Sequence, residues 1–214
     1  MAYDLEEQEQ IETLKSWWNR YGNLVTWLLI AALAAFSGWS AWNYYQRNQA
    51  AQAGQLYDEI GRAVIAKDNE RVMRGAADMR DKFARTAYAE MAALMAAKVA
   101  FDANDLNGAK AQLQWVVDNG RDDEYRALAR IRLAGVLLDE KAYEEGLKVL
   151  SADVPAAFAG AVADRRGDLL MAQNKIAEAR TAYQEALQKS DAKSPGRQLI
   201  QLKLDAIGGA NPAA

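Results

Sequence analysis

Residues 24–42 read LVTWLLIAALAAFSGWSAW, and this stretch divides the chain into its parts. It lies inside 26 consecutive residues, Tyr21 to Gln46, without one charged side chain. At ~1.5 Å rise per residue, a helix over Leu24–Trp42 nearly matches a hydrocarbon core roughly 30 Å thick. A buried helix of a soluble domain seldom stays charge-free for so long. Trp17, Trp18 and Tyr21 flank the run on one side and Trp39, Trp42, Tyr44 and Tyr45 on the other. Such rings, apolar in body and polar at one edge, collect at headgroup level. The pattern predicts a transmembrane helix with aromatic flanks over residues 21–46.

Residues 1–20 carry Asp4, Glu6, Glu7, Glu9 and Glu12 against Lys15 and Arg20. A secretory signal opens with a short positive segment instead, which opposes cleavage at the small-x-small patterns Ala32-Leu33-Ala34 and Ala51-Gln52-Ala53; a soluble periplasmic adaptor released by cleavage is the competing reading. The positive-inside rule compares Lys15 and Arg20 with Arg47 and Arg62 and does not decide orientation. A short acidic leader before a long carboxy-terminal part suits an amino terminus in the cytoplasm. Within the span, Ala31/Ala35, Ala34/Gly38 and Ser37/Ala41 place small residues four apart, so Ala31, Ala34, Ala35 and Gly38 form either a packing face for a partner helix or a plain lipid-facing surface. Ile11, Leu14, Trp18 and Tyr21 make an apolar stripe that either lies in the headgroup layer or extends the span.

The chain has no histidine and no cysteine. This excludes Ser-His-Asp and Cys-His nucleophile systems, zinc sites of the usual kind and disulfides. From residue 47 onward positive and negative residues balance at 24 each, leaving no basic stripe for nucleic acid. The acidic run Asp118, Asp122, Asp123, Glu124 fails the spacing of a calcium loop and suits a helix amino terminus. Asp164 and Asp168 share a helix face but stand beside Arg165 and Arg166, as on an ordinary charged surface. No cofactor, metal, nucleic acid or small-molecule substrate is expected, and the protein is read as non-enzymatic.

Beyond residue 50 the chain is rich in helix formers, with apolar residues three and four apart and regularly spaced breaks, among them Lys67-Asp68, Asn104-Asp105, Glu140-Lys141 and Asn174-Lys175. Three helical hairpins superpose on Ala109, Gly146 and Ala179. Four positions on stand Leu113, Leu150 and Tyr183; eight back, Phe101, Leu138 and Met171; twelve back, the small residues Ala97, Ala134 and Gly167. This resembles the tetratricopeptide pattern, whose small residues let two helices cross closely. A weaker unit precedes it, aligned on Ala76, with Arg80 out of character. The expected fold is all-α: one transmembrane helix followed by a tetratricopeptide-like solenoid of about four hairpins over 47–207, ending in a helix from about Gly196 to Ile207 that Ser194 caps, then a disordered tail, 208–214.

The acidic leader, aromatic-flanked anchor, helical repeats, the string Val162-Ala163-Asp164-Arg165-Arg166-Gly167-Asp168, the following Ala179-Arg180 and Tyr183, and the closing Lys203-Leu204-Asp205 together resemble the YfgM family over nearly the whole chain. The resemblance implies a single-pass inner-membrane protein, amino terminus cytoplasmic and repeat domain periplasmic. It implies an ancillary subunit of the SecYEG translocon that associates with a membrane-anchored periplasmic chaperone of the PpiD type. A tethered scaffold for other envelope complexes is the alternative.

Tetratricopeptide arrays bind along the first helices of their hairpins. The repeat register places Met91, Leu94, Phe101, Leu128, Ile131, Leu138 and Met171 there, too much apolar surface to leave in water. Either a partner segment or the chain's own last helix, through Leu199, Ile200, Leu202, Leu204 and Ile207, is expected to cover them.

Overall fold

The structure, a computed structural model, describes residues 2–208, with side chains from residue 9. The tail expected at 208–214 therefore lies outside the described residues, apart from Gly208. The described residues form nine α-helices and one 3-10 turn, with no strand. The chain divides into a unit up to Gln49 and a unit from Ala50 onward.

In the first unit a single helix, α1 (Ala2–Ile65), carries the apolar run. A helix from a soluble core would hide one face. Here none of the most apolar 18-residue window is buried, and Trp27, Leu28, Leu33, Phe36 and Trp39 are all open to the surroundings. The Thr26 hydroxyl donates to the Gly22 carbonyl at 2.7 Å, so this polar side chain is satisfied within the helix, as a lipid setting would require. Trp17 and Tyr21 meet at 5.8 Å between ring centroids, and Trp42 and Tyr45 at 6.2 Å. Gly22 lies under the indole of Trp18, with 3.0 Å to where a Cβ would stand.

The second unit begins with the last part of α1 and continues through α2 (Asn69–Phe83), α3 (Ala87–Asp102), α4 (Leu106–Asn119), α5 (Asp123–Asp139), α6 (Tyr143–Val149), α7 (Ala159–Ala172), α8 (Ile176–Lys189) and α9 (Gly196–Ala206). Helices 1/2, 3/4, 5/6 and 7/8 pair as four hairpins, and α9 follows as a single closing helix. About half of the buried apolar residues are alanines, so the helices lie close and each contributes modest apolar area.

All four hairpins turn by the same device. Lys67, Asn104, Lys141 and Asn174 have φ between 57° and 63°. The N–H of each donates three residues back, and the next N–H donates five residues back: Asp68 to Ala63, Asp105 to Ala100, Ala142 to Leu137 and Lys175 to Leu170, at 2.8–2.9 Å. This is the Schellman ending, in which a left-handed residue lets the terminal carbonyls find donors. The residue after it already caps the next helix. Asp68 accepts from the Arg71 N–H and Asp105 from the Gly108 N–H, whereas Ala142 and Lys175 supply no side-chain cap.

The turns correct the register of the first hairpin. Ala109, Gly146 and Ala179 each stand five residues after their left-handed residue, so their counterpart is Val72, not Ala76 one helical turn later. Both are fully buried, which is why a small-residue criterion selects the wrong one, and Arg80 ceases to be an exception. The corrected alignment puts Ile60 where the other hairpins have Ala97, Ala134 and Gly167. Gly75 opposite makes room, since a Cβ there would stand 2.6 Å from Ile60 Cγ1. The last hairpin has the reverse exchange, the ring of Tyr183 filling the space beside Gly167.

Helix α9 packs on the last hairpin. Ile200 and Leu204 are buried with Ala163, Leu170 and Tyr183, and Ile207 leans on the same cluster; Leu199 and Leu202 stay exposed. Met171 of the expected groove packs against this same cluster, and α9 closes the end of the stack. The Ser194 side chain makes no cap bond; Pro195 already has helical dihedrals. Arg197 instead donates to the carbonyls of Leu187 and Ser190 at the end of α8.

Candidate docking surface

Helices α3, α5 and α7, the first helices of successive hairpins, lie side by side. Equivalent positions on them follow from the turns. Tyr88, Tyr125 and Phe158 correspond, as do Met91 and Leu128, Leu94 and Ile131, Arg132 and Arg165, and Phe101, Leu138 and Met171.

These helices expose the expected groove residues to different degrees. Leu94 is 5% exposed and belongs to the interior formed by α3, α4 and α5. Leu128 packs against that interior and remains half-buried, while Ile131 and Leu138 lean on the next cluster, around Ala134, Leu150 and Leu169. Met91 is half-buried. Phe101 is 42% exposed. On α1, Ala31, Ala34, Ala35 and Gly38 are all exposed, and a Cβ at Gly38 would meet nothing within 4 Å.

Phe101 lines a cavity of about 360 Å³ between α3 and α5, together with Leu113, Arg132, Gly135, Asp139 and Arg165. Gly135 creates it by having no side chain in the middle of a helix, at a cost of roughly 0.5–1 kcal/mol relative to Ala. The Arg165 guanidinium carbon lies 3.5 Å from where a Gly135 Cβ would stand. Arg132 is one turn away from Gly135 on the same face of α5, and both arginines line the cavity. Arg165 pairs with Asp168 on its own helix at 3.2 Å, and its buried Nε has no partner. Desolvation alone lowers Arg132 from its ordinary pKa, with no carboxylate offsetting it, although the residue as a whole remains exposed. On the opposite wall Lys98 pairs with Asp102 at 2.7 Å.

The sequence reading missed Arg132, Gly135 and Arg165. The spacing of the two arginines, equal to the repeat interval, was visible in the sequence. That Gly135 opens space between two helices was not. Tyr57 and Tyr88, with ring centroids 5.6 Å apart, continue the aromatic surface toward the first hairpin; burial, then nearby Tyr125 and Asp58, hold the Tyr57 phenol above its ordinary pKa.

Asp164 and Asp168, read from sequence as ordinary surface, hold the closing helix. Lys203 reaches Asp164 at 2.8 Å and Asp168 at 2.7 Å, and the Tyr183 hydroxyl donates to Asp168 at 2.9 Å. Burial pushes the Asp164 carboxyl up despite Lys203 and, with Asp168 beside it, pushes the Tyr183 phenol up as well. The acidic run before α5 works as a cap, Asp122 accepting from the N–H groups of Glu124 and Tyr125.

The family model of the tetratricopeptide repeat-like domain matches residues 15–209. An ancillary SecYEG translocon subunit of Neisseria gonorrhoeae is 33% identical over 208 residues, covering 97% of this chain and all of that protein. The protein of the same description from Haemophilus influenzae is 26% identical over 96% of this chain and 99% of its own length. That from Escherichia coli K12 is 33% identical over 58% of this chain and 62% of its own. Among solved structures, a chain described as MamA RS-1 ArsTM double mutant superposes with a TM-score of 0.53 at 16% identity, covering 73% of this chain and 92% of that one; this likeness concerns the fold alone. A repeat domain of this kind and an exposed apolar helix, matched from end to end by the gonococcal protein, identify the chain as a member of the YfgM family, the ancillary SecYEG translocon subunits.

Proposed function

We propose that this protein is a non-enzymatic docking subunit of the SecYEG translocon, anchored in the inner membrane by residues 21–46 with its amino terminus in the cytoplasm. Its repeat domain, residues 47–207, stands in the periplasm and links translocation to a PpiD-type chaperone. The observation carrying this reading is that similarity to relatives described as translocon subunits runs through anchor and repeats alike. Anchor and domain have separate roles. The face bearing Ala31, Ala34, Ala35 and Gly38 meets a partner helix in lipid, where small residues permit close backbone approach. The first-helix surface, with Met91, Phe101, Leu128, Ile131 and Leu138 at its apolar points, receives the periplasmic partner; Leu94 supports it from beneath, and Met171 packs into the cluster that α9 joins.

Purification in mild detergent tests this directly. The intact chain should recover SecYEG and a PpiD-type chaperone, and exchanging residues 21–46 for an unrelated span should reduce translocon recovery. Recovery of neither by the intact chain would overturn the proposal, and recovery of a different envelope complex would replace it with the scaffold reading. Protease added outside spheroplasts should digest the region after Arg47; protection of that region would reverse the orientation.

A further inference from the structure

The cavity over Gly135 has chemistry of its own. Its floor is apolar, with Leu113 at 2% and Val136 at 3% exposure. Phe101, Arg132 and Arg165 line the cavity as well. Among the described residues the charged groups lining the cavity are not balanced equally. Lys98 and Asp102 satisfy each other, Arg165 has Asp168, and Arg132 has no hydrogen-bond or ion-pair partner. A partly desolvated guanidinium and a second one with an unpartnered buried nitrogen, lining the same cavity, call for a planar anion with two acceptor oxygens. Asp139 lines the same cavity two turns along α5 from Arg132 and disfavours an anion at its own end of the helix. Leu128 and Tyr125, both half-buried, stand one and two turns before Arg132 on the same stripe of α5, so an extended chain seated in the cavity would run on over them.

We propose that this cavity is a receptor for a carboxylate side chain of an extended partner peptide, gripped by Arg132 and Arg165, with the apolar residue beside that carboxylate seated against Phe101. The proposal rests on the docking role given above and names what docks: a segment with Asp or Glu adjacent to a large apolar residue. Gly135 is then a specificity-determining position: a Cβ there would only touch Arg165, at 3.5 Å, but a side chain as large as Leu would occupy the seat.

The full chain in lipid nanodiscs, used to select from a library of randomised octapeptides displayed on phage, provides the test. Selected peptides should share an Asp or Glu next to an apolar residue. Synthetic versions should bind the wild-type chain at least tenfold more tightly than their Asn or Gln counterparts, and this preference should weaken as salt rises. Arg132→Gln should remove the preference, and Gly135→Leu should abolish binding; matching thermal unfolding of Arg132→Gln and wild type establishes that the loss is local, since Arg132 holds no other group. Selection of peptides without an acidic excess, a preference insensitive to Arg132→Gln, or equal binding of free glutamate and peptide would overturn the proposal. Recovery of SecYEG and the chaperone by the wild-type chain is a separate readout, so the pocket assignment can fail while the docking role stands.

Discussion

Lys203 Nζ lies 2.8 Å from Asp164 Oδ1, across 39 residues of sequence. The pair joins the closing helix to α7, and Asp168, 2.7 Å from the same ammonium, makes it a three-residue lock. All three side chains are less than a quarter exposed.

Replacing Lys203 with Ala therefore leaves Asp164 without its ion-pair partner, beside an Asp168 that keeps only Arg165 and the Tyr183 hydroxyl. Partly buried, this should cost about 1–3 kcal/mol, below the loss seen for fully buried pairs. Amide exchange should quicken first in α9, while α3 to α5 keep their protection; uniform loss throughout the domain would contradict the local role of this lock.

The Asp164 carboxyl, raised in the folded protein by burial, binds its proton more tightly folded than unfolded. Its contribution to stability is thus full below the unfolded value and declines as pH rises through the folded one. Asp168, Lys203, Arg165 and Tyr183 face it and set the size of the effect. Urea unfolding across the acid range should show Asp164→Asn gaining on the wild type as pH rises. A gain in the opposite direction would mean that Lys203 outweighs desolvation.

Lys67 and Lys141 occupy left-handed positions that Gly adopts without strain. Lys141→Gly should raise stability by about 1 kcal/mol, and Ala142→Asp, which restores the cap present at Asp68 and Asp105, should add about 1 kcal/mol. Denaturant midpoints with unchanged slopes would register both. The two substitutions should also lengthen the lifetime of the α5/α6 hairpin in exchange experiments.

At Gly167 the ring of Tyr183 takes the space of a Cβ. Gly167→Ala should cost about 1–3 kcal/mol by overpacking, and Tyr183→Leu should recover part of it in the double variant. Additive losses would show that the two positions do not meet.

Arginine at Ala32, near the middle of the span, should oppose insertion by about 2.5–3.5 kcal/mol. Membrane yield after alkaline carbonate washing measures this; a normal yield would contradict the transmembrane reading of α1.

The long apolar helix could be read from sequence because absence of charge over 26 residues is a property of composition alone. The three later hairpins were legible because Ala109, Gly146 and Ala179 are small for one shared reason, the crossing of two helices. The first was misread by one turn because Val72 and Ala76 are both buried and sequence did not rank them. The turn residues Lys67 and Asn104, each followed by Asp, held the correct phase. Asp164, Asp168 and Lys203 were singled out separately, and only folding shows that they meet. The cavity over Gly135 was hidden because a missing side chain acquires meaning only from what stands across from it.

Four identical turns have a consequence for how the domain comes apart. Each hairpin is held mainly by its neighbours, so an interior hairpin loses two interfaces when it opens and the last loses one plus α9. Release of α9 would leave Ala163, Leu170 and Tyr183 as a raw end. The stack would then melt backward from α8, one hairpin at a time, and the short α6 would be the step at which melting gathers speed.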